Sequence, residues 1–110
     1  MERSLHGAVN VVKCDEKLTA ETVDQLAAVL DECLAGDLPM AVVSFEKTQL
    51  FSGVGLEFLL DAKEQFSQRG GRLNFVAPTA ISAEVLNITG MDEQIEVHPE
   101  VAGAVRSFTQ

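Results

Sequence analysis

Strand-like and helix-like segments alternate along this chain, and that order predicts a single-domain α/β fold with a mixed, mostly parallel sheet. Three observations carry the prediction. The short apolar run Met40–Phe45 suits a strand covered on both faces. Gln49–Gly71 reads as a small-residue turn that runs into a helix and delivers the chain to another strand. Stripes of apolar residues at helical spacing separate the remaining β-rich runs. Together they give a sheet of four to five strands with about four helices, over residues 1–110, a length suited to one core.

Taken in order, residues 8–14 form a β-rich run, with a shorter strand around Arg3–His6 paired to it through a turn at Gly7. That hairpin adds an antiparallel edge. Asp15-Glu16-Lys17 is a polar break. Thr19 is placed to cap the next helix, with Glu21 in its first turn where a carboxylate favours the helix dipole. The stripe Val23, Leu26, Ala27, Leu30, Cys33, Leu34 follows, and Gly36 with Pro39 ends it. After Met40–Phe45, the polar residues Glu46–Gln49 loop into Ser52-Gly53-Val54-Gly55. Ser52 is a suitable N-cap, and Leu56, Leu59, Leu60 and Phe66 lie mostly on one stripe. Gly70-Gly71 closes that helix, because glycine takes the left-handed conformation at little cost. Arg72–Ala77 alternates as a strand until Pro78. A helix near Ala80–Thr89 is expected to bury Ile81, Val85 and Ile88, with Gly90 as its stop. A brief strand at Gln94–Val97 precedes a last helix, with Pro99 in its first turn and Val101, Val105 and Phe108 on its stripe.

The charge narrows the function. A net charge of −9 with eight Lys and Arg argues against nucleic acid and anionic membrane surfaces, and suits a basic protein partner. Trp and Tyr are absent, which removes the usual stacking platforms for single strands. A membrane-spanning helix needs roughly 20 apolar residues in a row, and the sequence has no such run; Glu2, Arg3 and His6 interrupt any leader-like segment. A cytoplasmic protein is expected. Cys14, in a strand-like run, and Cys33, on a helix stripe, read as buried thiols in preference to a disulfide or redox pair.

No catalytic constellation emerges. His6 and His98 stand apart from other metal-ligating residues, so no metal or cofactor is expected. Phe51-Ser52-Gly53-Val54-Gly55 lacks the leading glycine of a nucleophile elbow. Gly53-Val54-Gly55 at a helix start can offer amides to an anion, or let the helix pack tightly on the sheet; the packing role weighs more. Glu57, Asp61 and Glu64, at i, i+4 and i+7, form one polar stripe. It is either a solvated face or an acidic docking ridge.

These segments resemble the STAS domain, the family shared by anti-sigma factor antagonists and the cytoplasmic tails of sulfate transporters. The likeness rests on Ser52-Gly53-Val54-Gly55-Leu56-Glu57, then Leu59-Leu60, then Arg69-Gly70-Gly71-Arg72-Leu73, set against a family pattern of D-S-S-G-L-G, L-L and a helix closed by G-G. Val85–Met91, with Thr89-Gly90, matches a later helix ending. The resemblance implies a non-enzymatic protein-binding module that engages an anti-sigma factor or a related switch kinase. Its contact residues would be Ser52, Gly53, Val54, Gly55, Glu57 and Asp61. It allows a homodimer. The chain departs from the family at several positions. The turn aspartate falls on Ser52, the phosphorylated serine on Gly53, the next serine on Val54, and the aspartate of the preceding strand on Ser44. The phosphorylation switch is therefore not expected; Ser52, already engaged as a cap, is a weak substitute acceptor. Two other functions stay open: an accessory domain of a sulfate or lipid transporter, and a small anion- or nucleotide-binding domain.

Overall fold

Met40–Ser44 is the middle strand of five, as its unbroken apolar character predicts. The computed structural model describes residues 1–109. Its strands are β1 (Glu2–His6), β2 (Val9–Lys13), β3 (Lys17–Leu18), β4 (Met40–Ser44), β5 (Leu50–Phe51), β6 (Arg72–Val76) and β7 (Val97–His98). Its helices are α1 (Val23–Leu34), α2 (Gly53–Gln68), α3 (Ala80–Ile88) and α4 (Val101–Arg106). The main sheet runs β1-β2-β4-β6-β7. Only β1 is antiparallel, setting Ser4 opposite Val11. The other pairings are parallel, with Val12 beside Val43 and Val43 beside Phe75. Gly7 turns the β1–β2 hairpin at φ 65, a conformation glycine adopts without strain.

Alternate residues of β4 divide between two cores, as the two-residue period of a strand requires. Ala41, Val43 and Phe45 pack with Leu26 and Leu30 of α1, Leu59 and Phe66 of α2, and Leu86 of α3. Val42 turns the other way, to Val9, Val11, Val76 and Ala104 of α4. Phe45 meets Phe51 and Phe75 edge to face, with centroids 5.3 Å and 5.2 Å apart. Val101 and Val105 of α4 pack at the margin of the smaller core and Ala104 is fully buried; Phe108, expected on the same helix, packs there too but from the 3-10 turn Ser107–Thr109 beyond it.

Four expectations need correction. α1 begins at Val23, because Thr19–Thr22 forms a separate turn: the Thr19 carbonyl accepts from the amides of Thr22 and Val23. Glu21 is therefore outside the helix, and Asp24 is its first-turn acid. On α3 the buried residues are Ser82 and Leu86, whereas Ile81 and Ile88 are 49% and 73% exposed. The last strand is only Val97–His98: Met91–Glu93 forms a 3-10 turn, the Ile95 amide after it still donates to the Met91 carbonyl, and both Met91 and Ile95 fill the core. Pro99 stands just before the α4 cap residue Glu100, not within the helix.

Candidate functional site

The start of α2 is held in place by a small parallel sheet that the sequence hides. β3 pairs with β5, Lys17 beside Leu50 and Leu18 beside Phe51. The Glu16 carbonyl accepts from the amides of Gln49 and Leu50 at 2.8 and 3.2 Å, and the Leu18 carbonyl accepts from the Ser52 amide at 2.9 Å. Buried Thr48 pins the incoming loop by donating its hydroxyl to the Asp15 carbonyl at 2.7 Å. The chain therefore reaches α2 with its direction fixed.

Ser52 adopts an extended backbone, and its Oγ accepts from the Gly55 amide at 3.1 Å, so it caps the helix as predicted. The two glycines then part company. A side chain on Gly55 would collide with the Leu18 carbonyl, so its absence is what lets α2 pack on β3. Gly53 is exposed, and a Cβ there would meet nothing within 4 Å. Packing explains Gly55 alone. Val54 beside it is 49% exposed.

Ser52, Gly53 and Val54 form one wall of an open groove; Lys17, Thr19, Ala20, Glu21 and Leu50 complete it. Among the described residues that line it, Lys17 is the only basic one. The Gly55 and Leu56 amides are already taken by the Ser52 side chain and carbonyl, leaving an anion the amides of Gly53 and Val54 alone. Glu57, Asp61 and Glu64 continue from the turn along an exposed face of α2. Among the described residues neither Glu57 nor Asp61 makes an ion pair. The structure thus places Ser52, Gly53 and Val54 at the start of α2 with Gly55 underneath, Glu57 one turn on and Asp61 at mid-helix. The far wall from Lys17 to Glu21 was missed, since in sequence Lys17 reads as part of a polar break and Thr19 and Glu21 as the start of the first helix.

The remaining polar groups lie elsewhere. His6 is exposed beside the Ser4 hydroxyl, and His98 contacts Glu96 at 2.6 Å, which also pairs with Arg72 at 3.2 Å. Among the described residues no group of three His, Cys, Asp or Glu converges to hold a metal. Cys14 and Cys33 are free and buried, as expected. Burial pushes both thiols above their ordinary range; the Thr48 side chain opposes this at Cys14 and the Arg3 charge opposes it at Cys33. Ser44, matched to a family aspartate, is fully buried at the end of β4, and its hydroxyl has no hydrogen-bond partner among the described residues. Among the described residues no helix is long and apolar enough to cross a membrane.

Comparison with known proteins agrees with this architecture. An anti-sigma factor antagonist from Mycobacterium paratuberculosis superposes with a TM-score of 0.87 at 20% identity, over 99% of this chain and 92% of that one. A putative anti-sigma factor antagonist from Thermotoga maritima does so with a TM-score of 0.87 at 17% identity, over 99% and 94%. The fold also recurs inside the murine Solute Carrier 26 family member A9 anion transporter, with a TM-score of 0.72 at 14% identity, covering 93% of this chain and 18% of the transporter. At these identities the likeness is one of fold. No curated protein sequence matches the chain. The STAS domain family model matches residues 2–104. This chain belongs to the STAS domain family.

Proposed function

We propose that this STAS domain, over residues 1–110, is a non-enzymatic protein-binding module of the anti-sigma factor antagonist kind. It acts in the cytoplasm and docks an anti-sigma factor or related switch kinase through the start of α2. The observation that carries this is the helix end itself. Gly53 and Val54 are exposed beside an open groove, and the carboxylates of Glu57 and Asp61, without an ion pair among the described residues, lie one and two turns on. An exposed small-residue turn lets a partner approach the backbone closely, and the acidic ridge selects a basic surface.

The module is not switched by phosphate at positions 53 and 54, because neither residue has a hydroxyl. The Ser52 hydroxyl is engaged with the Gly55 amide, which makes it a poor acceptor. Its surface is permanently available, so partner abundance sets occupancy. The test is calorimetric titration of the chain with anti-sigma factors and switch kinases from its own genome. One of them should bind, and Gly53→Asp should weaken that binding at least about tenfold by placing charge in the contact. Unchanged binding by Gly53→Asp moves the interface off α2. If none binds and the chain instead associates with a transporter's membrane domain, it is a transporter accessory domain.

A further inference from the structure

The helix α3 carries an apolar stripe that the fold leaves uncovered. Ile81 and Ile88, seven residues apart, are 49% and 73% exposed, with half-buried Val85 between them. This orientation is fixed. Thr79 accepts from the Ser82 amide at 3.1 Å, and Ser82 in turn reaches the Thr79 amide and carbonyl, forming a closed capping box. Ser82 and Leu86 are both fully buried. Rolling the helix to hide Ile81 and Ile88 would expose Leu86 and break the box, so the outward stripe belongs to the folded state.

Its surroundings carry one sign of charge. Between Arg72 and Arg106 the chain has five carboxylates and no Lys or Arg. Glu84 lies on α3 itself, and Asp92 and Glu93 follow in the adjoining 3-10 turn, all three exposed and, among the described residues, without an ion pair. A second copy of this chain would press these carboxylates against their own kind, which is destabilising. Two isoleucines two turns apart, about 10 Å along the axis, match the spacing of apolar residues on one face of a partner helix.

We propose that the outer face of α3 is a second docking surface, distinct from the start of α2, and that it takes an amphipathic helix bearing Lys and Arg beside its apolar stripe. Ile81 and Ile88 are the anchors; Glu84, Asp92 and Glu93 set the charge of the partner. The test uses two synthetic helical peptides with the same leucine stripe, one flanked by Lys and Arg, the other by Glu, and reads binding by fluorescence anisotropy. The basic peptide should bind and the acidic one should not. The double variant Ile81→Ser/Ile88→Ser, which leaves net charge unchanged, should weaken the basic peptide at least about tenfold with no shift in the melting curve. Glu84→Lys should weaken it as well. Equal binding of both peptides, or of wild type and the double variant, overturns the proposal. So does loss of peptide binding in Gly53→Asp, because the peptide would then be seated on α2. Sedimentation that shows a homodimer dissolved by Ile88→Ser also overturns it and makes the face self-associating. Failure of the α2 proposal leaves the comparison of the two peptides and the Ile81, Ile88 and Glu84 variants unaffected, since these are read at α3.

Discussion

α2 and α3 follow strands β4 and β6 of the same sheet, and both begin with an oxygen cap, yet their apolar stripes point in opposite directions. On α2 the expected residues Leu59 and Phe66 face inward, accompanied by Gly55 and Ala62 at i, i+4, i+7 and i+11. On α3 the expected residues Ile81 and Ile88 face outward, and Ser82 with Leu86 lies beneath. Hydrophobic period establishes that a segment is helical; it establishes the buried face only when polar residues fill the other side. The opposite side of α2 carries Glu57, Asp61 and Glu64, so one solution survives. α3 has aliphatic residues around most of its circumference, and there the small polar Ser82, tied to Thr79, decides the rotation.

The sharpest break in this comparison comes from substitutions at the two buried leucines. Leu59 and Leu86 are fully buried, so Leu59→Ala and Leu86→Ala should each destabilise by roughly 2–5 kcal/mol in urea melts. Asp61→Ala and Ile88→Ser should stay within about 0.5 kcal/mol, as exposed substitutions do. A large loss for Ile88→Ser together with a small one for Leu86→Ala would show that α3 is rotated the other way.

Next in size is the glycine pair of α2. Gly55→Ala forces a methyl against the Leu18 carbonyl, an overpacking that should cost about 1–3 kcal/mol in a thermal melt. Gly53→Ala meets open space and should be neutral or slightly stabilising, since alanine is the better helix former. Equal losses would mean the β3–α2 contact does not set the helix position. The caps follow: Ser52→Ala and Thr79→Ala each remove one acceptor from the first turn and should cost about 0.5–2 kcal/mol. The two losses should be similar, because buried Ser82 gives up the Thr79 hydroxyl at 2.7 Å but keeps the Thr79 amide and carbonyl.

The same contrast marks how far the sequence could be read. Strands β2, β4 and β6 and the four helices were legible because each has its own period or apolar run, whereas β7, two residues long, was expected at Gln94–Val97 and lies at Val97–His98. Strands β3 and β5 were not legible. Each is two residues long, neither has a pattern, and Lys17 finds Leu50 only once the chain has folded. The groove wall from Lys17 to Glu21 was lost with them. The α1 cap was read at Thr19 but lies at Thr22, whose hydroxyl goes to the Lys17 carbonyl at 2.8 Å, while Thr19 belongs to a separate turn before the helix. At the site, the spacing of Ser52 and Gly55 disclosed the cap. It could not separate Gly55 from Gly53, since only the distance to Leu18 shows that one glycine is required by packing and the other is not.

That freedom at Gly53 makes it the place where stability and binding should part. Gly53→Asp puts a carboxylate in the first turn of α2, where it favours the dipole, so the melting point should hold or rise, by less than about 1 kcal/mol in stability. Binding of the α2 partner should fall in the same variant. Gly53→Ser adds a hydroxyl at the position the family resemblance matches to its acceptor, with nothing within 4 Å to obstruct the side chain. Incubated with the cognate switch kinase and ATP, wild type should gain no mass, whereas Gly53→Ser should gain one phosphate and lose its partner, because a bulky dianion then occupies the contact. A phosphate on wild type that maps to Ser52 would refute the unswitched reading, and would require the cap to release the Gly55 amide before transfer. If Gly53→Ser is phosphorylated and still binds normally, the partner touches some surface other than the start of α2, and Glu57 and Asp61 are then no more than a solvated face.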